Sequence, residues 1–284
     1  MAISSSTRDD AHPILVLGAN GKTGGRVLDR LRDAGHAVRV GSRSAHPRFD
    51  WEEPATWKAA LQGVHAVYVA YQPDLCVPGA VETVTAFYDA AAKAGVEKIV
   101  LLSGRGEPEA QDAEKALQAT SLDWTIVRAS WFFQNFSENY FLDEIVAGAI
   151  TLPEGLAPEP FIDADDIADI AAEALLGNRH SRQLYELTGS EAITFPEAIA
   201  QIGQATNREI ACQIISKADY ARALPEAGLP PDLAALVVYL FNTVLDGRNT
   251  PIAHGVEQAL GRPPRNFADY VARTASTGVW EAKP

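Results

Sequence analysis

The stretch ILVLGANGKTGGRVLDRL, Ile14 to Leu31, decides how this chain folds. Gly21-Lys22-Thr23 could close a Walker A loop, but that loop needs a glycine five positions before its last one, and Val16 stands there. An ATP-cradling loop is therefore excluded by spacing. What remains is Gly18-x-x-Gly21-x-x-Gly24, preceded by the apolar run Ile14–Leu17 and followed by a helical pattern. A strand, a tight turn and a helix in that order aim backbone N–H groups and the positive end of the helix dipole at a diphosphate. Gly18 permits the turn, Gly21 admits the diphosphate, and Gly24 lets the helix pack on the strand. Val27, Leu28, Leu31 and Ala34 make one apolar stripe, with Arg26, Asp29, Arg30 and Asp33 facing water and Gly35 as the stop.

Outward from this unit the same alternation continues. HAVRVGSR reads as a second strand, GVHAVYVAY and VEKIVLLS as two more, and GAVETVTAFYDAAAKAG as an amphipathic helix between them. The helix PEAQDAEKALQATS and the strand DWTIVR follow. Short β-branched strands alternating with helices predict an α/β fold, a Rossmann-type doubly wound parallel sheet covered on both faces. After Arg128 the alternation stops. WFFQNFSENYFLDEIVAGAI is aromatic-rich and reads as helical after its first residues. FIDADDIADIAAEALLG reads as a capped helix ending at Gly177, and ITFPEAIAQIGQATN as another with Thr194 as cap and Glu197 three residues on. The expected organisation is a frayed segment 1–12, a nucleotide-binding domain 13–150, and a smaller, mainly helical substrate lobe 151–284, part of which returns to the sheet. The cleft between the two is the expected ligand site.

Composition narrows the classes. The 284 residues are 47% hydrophobic and 21% charged, the balance of an ordinary globular protein with a large core. A formal charge of -13, with no basic run to offset it, argues against nucleic-acid binding. Cys76 and Cys212 are too few for a disulfide framework, and the six histidines stand singly, so no metal is expected. The polar opening lacks a signal-peptide apolar region, and the longest nearly apolar run, Leu233–Leu245, is too short to span a bilayer. A cytoplasmic protein without a membrane partner, monomer or homodimer, is expected.

Cofactor choice is made at the end of the second strand, where NAD enzymes place an acid on the ribose 2′-OH. Here Gly41-Ser42-Arg43 occupies that place, with Arg48 shortly after and Lys22 in the glycine loop. A guanidinium can grip a 2′-phosphate that an acid would repel, which predicts NADP(H).

These residues resemble the NmrA-like group of atypical short-chain dehydrogenase/reductases over nearly the whole chain. The resemblance is carried by GANGKTGG, GSR, GVHAVYVAY, VEKIVLLSG, EKALQATSLDWTIVRASWFFQNF, FIDADDIADIAAEAL and GRPPRNFADYV. Within the group, VRASWFFQNFSE is similar to the matching stretch of fungal festuclavine synthases and agroclavine dehydrogenases. The resemblance implies that Gly18, Asn20, Gly21, Lys22, Thr23 and Gly24 hold the diphosphate, and Ser42, Arg43 and Arg48 the 2′-phosphate. It places Asp50 and Trp51 at adenine, and Ala70, Tyr71, Ser103 and Gly104 beside the ribose and nicotinamide. Trp131, Phe132, Phe133, Asn135, Tyr140 and Phe161 are expected to form the substrate wall.

Two acid–base devices of the superfamily are missing. No tyrosine has a lysine four residues on, and GRGEPEAQDAE contains no lysine. Ser103, Tyr71 and Tyr140 are the candidate catalytic hydroxyls. Two readings stay open: an NADPH-dependent reductase of a small flat or cationic acceptor, such as an iminium, quinone or enone of secondary metabolism, or an NADP(H)-sensing binding protein without turnover. An isomerase or cyclase retaining the nucleotide is a third.

Overall fold

The computed structural model describes residues 12–138 and 140–281. The fraying expected of residues 1–12 therefore falls, His12 apart, outside the described residues. The chain divides into two compact units: residues up to Arg128 with Ile167–Tyr185, and Ala129–Asp166 with the residues from Glu186 onward. The division thus comes at Arg128 and not at 150, and a helix-strand pair from the later sequence belongs to the first unit.

The first unit holds β1 (Ile14–Leu17), α1 (Lys22–Asp33), β2 (Val38–Gly41), α2 (Trp57–Leu61), β3 (Ala66–Val69), α3 (Ala80–Lys93), β4 (Lys98–Gly104) and α4 (Pro108–Gln118). Next come β5 (Asp123–Ala129) and, in the second unit, α5 (Leu142–Ala147) and β6 (Ala149–Pro153), before α6 (Ala164–Leu176) and β7 (Gln183–Leu187). The strands lie in the order β2-β1-β3-β4-β5-β7. β1 pairs in parallel with β2 and β3, and β3 with β4, in register Ile14↔Val38, Ile14↔Ala66 and Ala66↔Lys98.

Every residue of β1 and β3 is buried, as a sheet covered on both faces requires. The two-residue period of a strand sorts them. Leu15, Leu17, Val67, Val69, Ile99 and Leu101 pack with Trp57, Phe87, Tyr88 and Leu117 on one side. Ile14, Val16, Ala66, Tyr68 and Val100 pack on the other with Val27, Leu28 and Leu31 of α1 and with Ala168, Ala171, Ala172, Ala174 and Leu175 of α6. Burying each large aliphatic side chain stabilises the fold by about 1.5–3 kcal/mol. Lys98 fastens the strand to the helix: its Nζ donates to the Ala174 carbonyl at 3.0 Å, to the Gly177 carbonyl, and to Asn178 Oδ1 at 3.2 Å. A cation there satisfies carbonyls that the end of α6 leaves open.

The second unit is built around aromatic rings. Phe133, Phe136, Phe141, Phe161, Phe195, Phe241, Phe267, Tyr270 and Trp280 form one buried cluster. Around it stand α7 (Phe195–Ala205), β8 (Ala211–Ile215), α8 (Lys217–Glu226), α9 (Pro231–Tyr239), α10 (Gly255–Leu260) and α11 (Phe267–Ala275). The expected cap of α7 is present in full: Glu197 N–H donates to Thr194 Oγ1 at 3.2 Å, and Thr194 N–H donates to Glu197 Oε2 at 2.7 Å. The expected long helix after Trp131 is not. Phe133–Phe136 is a 3-10 turn, α5 has one and a half turns and stops at Gly148 with φ of +90°, and Ala149–Pro153 is a strand paired in parallel with β8. Bulky rings drawn inward from successive positions break the helical period there.

Candidate active site

The loop Gly18–Gly24 joins β1 to α1. Gly18 has φ of +71°, and Gly21 N–H donates to the Gly18 carbonyl at 2.8 Å, which closes the turn. A Cβ on Gly24 would stand 2.2 Å from that same carbonyl, so only glycine lets the helix start against the turn. The first turn of α1 contains no acidic residue, and its N-cap Gly21 offers no side chain to the helix amides. An anion is the complement of such a terminus. Ala70 lies against Gly18, and the Gln72 side chain lies near Gly21, so the ends of β1 and β3 come together at the loop. Asn20 is exposed, Lys22 half-buried and Thr23 buried.

Beyond β2 opens a cleft of about 590 Å³ lined by Pro13, Asn20, Val38, Arg39, Val40, Ser42, Ser44, Ala45 and His46. Among the described residues no carboxylate lines it. Ser42 faces it, whereas Arg43 is exposed and stands outside the lining. Arg48 is engaged elsewhere: it donates to Asp50 Oδ2 at 2.7 Å and to Glu53 Oε2 at 2.8 Å. Asp50 is thereby held in place, accepting also from the Glu52 amide at 3.1 Å. Trp51 packs on Tyr71 and Phe49, both at 4.9 Å between ring centroids. Trp51, Phe49 and Tyr71 are thus one aromatic patch.

At the end of β4, Ser103 is buried, and its hydroxyl donates to Glu114 Oε1 at 2.5 Å. Glu114 is 2% exposed and accepts from the Arg128 guanidinium, including Nε at 2.9 Å. Gly104 carries a second requirement, because a Cβ there would stand 2.1 Å from the Glu107 carboxyl. Burial first, and then the charge of Asp74 and a hydrogen bond with it, push Glu107 well above the usual carboxylate range. Asp74, Cys76 and Glu107 each bring a ligand atom within 4.8 Å of the others, the one such cluster among the described residues. Sequence spacing missed it, since Asp74 and Glu107 meet only once β3 and β4 are paired. Burial also raises the Tyr71 phenol, which shares a hydrogen bond with Thr83.

The substrate-wall candidates separate into two groups. Trp131 is half-buried, with its ring against Phe241 at 5.1 Å, Phe195 at 6.0 Å and Tyr140 at 6.1 Å. Tyr140 is 41% exposed, but its desolvated hydroxyl end pairs with Tyr220 and is raised by both; burial pushes Tyr220 up to about 12. Phe132 and Asn135 are half-buried. Phe133 and Phe161 are each 2% exposed and belong to the aromatic core; with Phe267 they floor a crevice under Gly189–Glu191 that has no room for a water molecule. These two rings belong to the core and do not offer a face to a ligand.

A family model described as NAD(P)H-binding matches residues 18–177. Over 277 residues the chain is 30% identical to festuclavine dehydrogenase of Aspergillus fumigatus, covering 90% of this chain and 96% of that one. Two solved structures share the fold. The NADPH-dependent quinone oxidoreductase of Escherichia coli, complexed with NADPH, has a TM-score of 0.75 and 23% identity, over 92% of this chain and 99% of its own. The triphenylmethane reductase of Citrobacter sp., complexed with NADP(H), has a TM-score of 0.74 and 20% identity, over 92% and 99%.

Proposed function

We propose that this chain, which belongs to the NAD(P)H-binding, NmrA-like family of atypical short-chain dehydrogenase/reductases, uses NADPH to reduce a small, flat or cationic acceptor: an iminium, a quinone or an enone. When bound, the reduced nicotinamide supplies the hydride. The Gly18–Gly24 loop fits the diphosphate, because its crowded turn and acid-free helix terminus leave backbone N–H groups and a positive dipole for an anion.

The observation that carries the cofactor choice is the cleft beyond β2, whose lining among the described residues contains hydroxyls, an imidazole and a guanidinium but no carboxylate. An acid there would accept from a free ribose 2′-OH and repel a 2′-phosphate. Ser42 faces this cleft and Arg43 borders it in sequence, and both serve the phosphate. Arg48 is taken up by Asp50 and Glu53, and its part is to fix the adenine candidate Asp50.

The acceptor class follows from the state of the nominated hydroxyls. Ser103 gives its one proton to Glu114, and burial raises the phenols of Tyr71 and Tyr140. Strong general-acid help is therefore lacking, which suits acceptors that take hydride readily. Half-buried Trp131 and exposed Tyr140 offer π faces to a flat or cationic molecule. The names of the fungal dehydrogenase and of the quinone and triphenylmethane reductases support the same class.

The test is titration of NADPH and NADH into the wild type and Arg43→Ala, then NADPH consumption on iminium, quinone and enone panels. Preference for NADPH that falls in the variant, with turnover on one class, is expected. Tight NADPH binding with no turnover on any class would favour the sensor.

A further inference from the structure

Two loops of the first unit, one after β3 and one after β4, bring together three side chains that the proposed reduction does not use. Asp74, Cys76 and Glu107 each place a ligand atom within 4.8 Å of the other two. Glu107 is the deepest at 6% exposed, and Asp74 and Cys76 are half-buried. The Glu107 carboxyl is seated over Gly104, where a Cβ would meet Oε2 at 2.1 Å and Oε1 at 2.3 Å. The end of β4 thus leaves the carboxyl its room by carrying no side chain. Asp74 is oriented in turn, its Oδ1 accepting from the Cys76 N–H at 3.0 Å.

Among the described residues the charges acting on this set are all negative. The Glu107 carboxyl shares a hydrogen bond with Asp74, itself an acid, and after burial it is Asp74 and Glu109 that raise it. Burial raises the Cys76 thiol too, followed by Asp74, Glu107 and Glu109. A carboxyl more than nine-tenths buried therefore points at other acids. A proton or a metal ion can satisfy such an arrangement. The proton serves the two carboxyls and leaves the thiol, brought to the same point, without a part. A cation uses all three. Ligands of a tetrahedral zinc, at about 2.0–2.3 Å, stand about 3.3–3.8 Å from one another, so these atoms need to close by roughly 1 Å, within reach of side-chain rotation.

We propose that Asp74, Cys76 and Glu107 form a three-ligand site for a divalent transition-metal ion such as zinc, with one position left to water. The sulfur sets the class of ion: a thiolate favours zinc, cobalt or cadmium over magnesium and calcium, which take oxygen ligands. The site goes beyond the reductase reading and does not rest on it, since all three residues belong to the first unit and need no nucleotide to meet.

The experiment uses the full chain, freed of metal by chelator, kept reduced and without nucleotide. Zinc and magnesium are titrated calorimetrically. Cobalt is followed by absorbance, because a cobalt–thiolate bond gives a charge-transfer band that carboxylate and imidazole ligands do not. Expected are one tight zinc per chain, no competition from magnesium, and a cobalt band that is lost in Cys76→Ser and kept in Cys212→Ser. Zinc affinity is expected to fall in both Cys76→Ser and Glu107→Gln by at least about tenfold, the loss that removal of even an outer partner of a metal site brings. Unfolding curves in chelator check that each variant is folded. Should Glu107→Gln fail to fold, Cys76→Ser carries the test alone, since serine keeps the shape of cysteine. Absence of saturable zinc binding, or a cobalt band that is missing or survives Cys76→Ser, would overturn the proposal. So would equal zinc affinity in the wild type and the folded variants, the mark of an adventitious ion only.

Discussion

Ser103 donates its hydroxyl proton to Glu114 across 2.5 Å, and the Arg128 guanidinium holds that carboxylate from the other side. With that proton engaged, the serine at the end of β4 is expected to accept from, and not to protonate, anything bound above it. Ser103→Ala is expected to cost about 1–3 kcal/mol of stability, measured by denaturant unfolding, and to leave the pH dependence of kcat unchanged. Loss of the alkaline limb in this variant would restore Ser103 as a proton donor.

The buried pair itself matters more for folding. Removing one partner leaves an uncompensated charge among the core of the first unit, so Arg128→Met is expected to destabilise by about 3–5 kcal/mol. The double variant Arg128→Met with Glu114→Leu is expected to recover much of that loss. Equal stabilities for the single and double variants in urea would show that burial, and not the lone charge, sets the cost.

Gly24 is constrained by the Gly18 carbonyl, 2.2 Å from where its Cβ would fall. Gly24→Ala must displace the turn proposed to hold the diphosphate. Cofactor affinity measured by fluorescence titration is expected to fall by more than about tenfold, and the unfolding midpoint to fall as well, since the roughly 1 kcal/mol that alanine adds to a helix does not offset a Cβ pressed into backbone. Unchanged affinity would move the diphosphate off this loop.

Glu107 carries a raised carboxyl pKa, caused by burial and then by Asp74. For a group raised in the folded state, its contribution to stability is greatest below the unfolded pKa and is lost as pH rises toward the folded one. Glu107→Gln removes the ionisation and keeps the shape. Its Tm is expected to match the wild type near about pH 4 and to exceed it by a margin that grows as pH rises to about 8. A margin that does not change with pH would mean that Glu107 ionises freely.

Trp131 and Phe161 were both expected in the substrate wall, yet one is half-buried and the other is 2% exposed. Phe161→Ala is expected to cost about 4 kcal/mol of stability, whereas Trp131→Ala is expected to raise KM for aromatic acceptors with a smaller loss of stability. Steady-state kinetics and unfolding on both variants check the split.

The legible parts of this fold are those whose signals are local. Ile14–Leu17 with its glycines, the buried stripe Val27, Leu28 and Leu31, and the Thr194–Glu197 box each declare themselves within a dozen residues. β8 does not, because Ala211, Gln213 and Ile214 are exposed and the strand exists only through its pairing with β6. Glu107 reads as an ordinary acid ahead of a helix-starting proline; its burial depends on Gly104 beside it and Asp74 after β3. Arg48 reads as a free phosphate ligand until its own neighbours Asp50 and Glu53 are seen to claim it.

The most direct measurement is a single-turnover experiment in which the chain, loaded with NADPH, is mixed with iminium, quinone and enone acceptors while nicotinamide absorbance is followed. The account predicts stoichiometric oxidation of NADPH with at least one class, and slower oxidation of NADH. Full retention of reduced cofactor with every class, in a protein that binds it tightly, would contradict it.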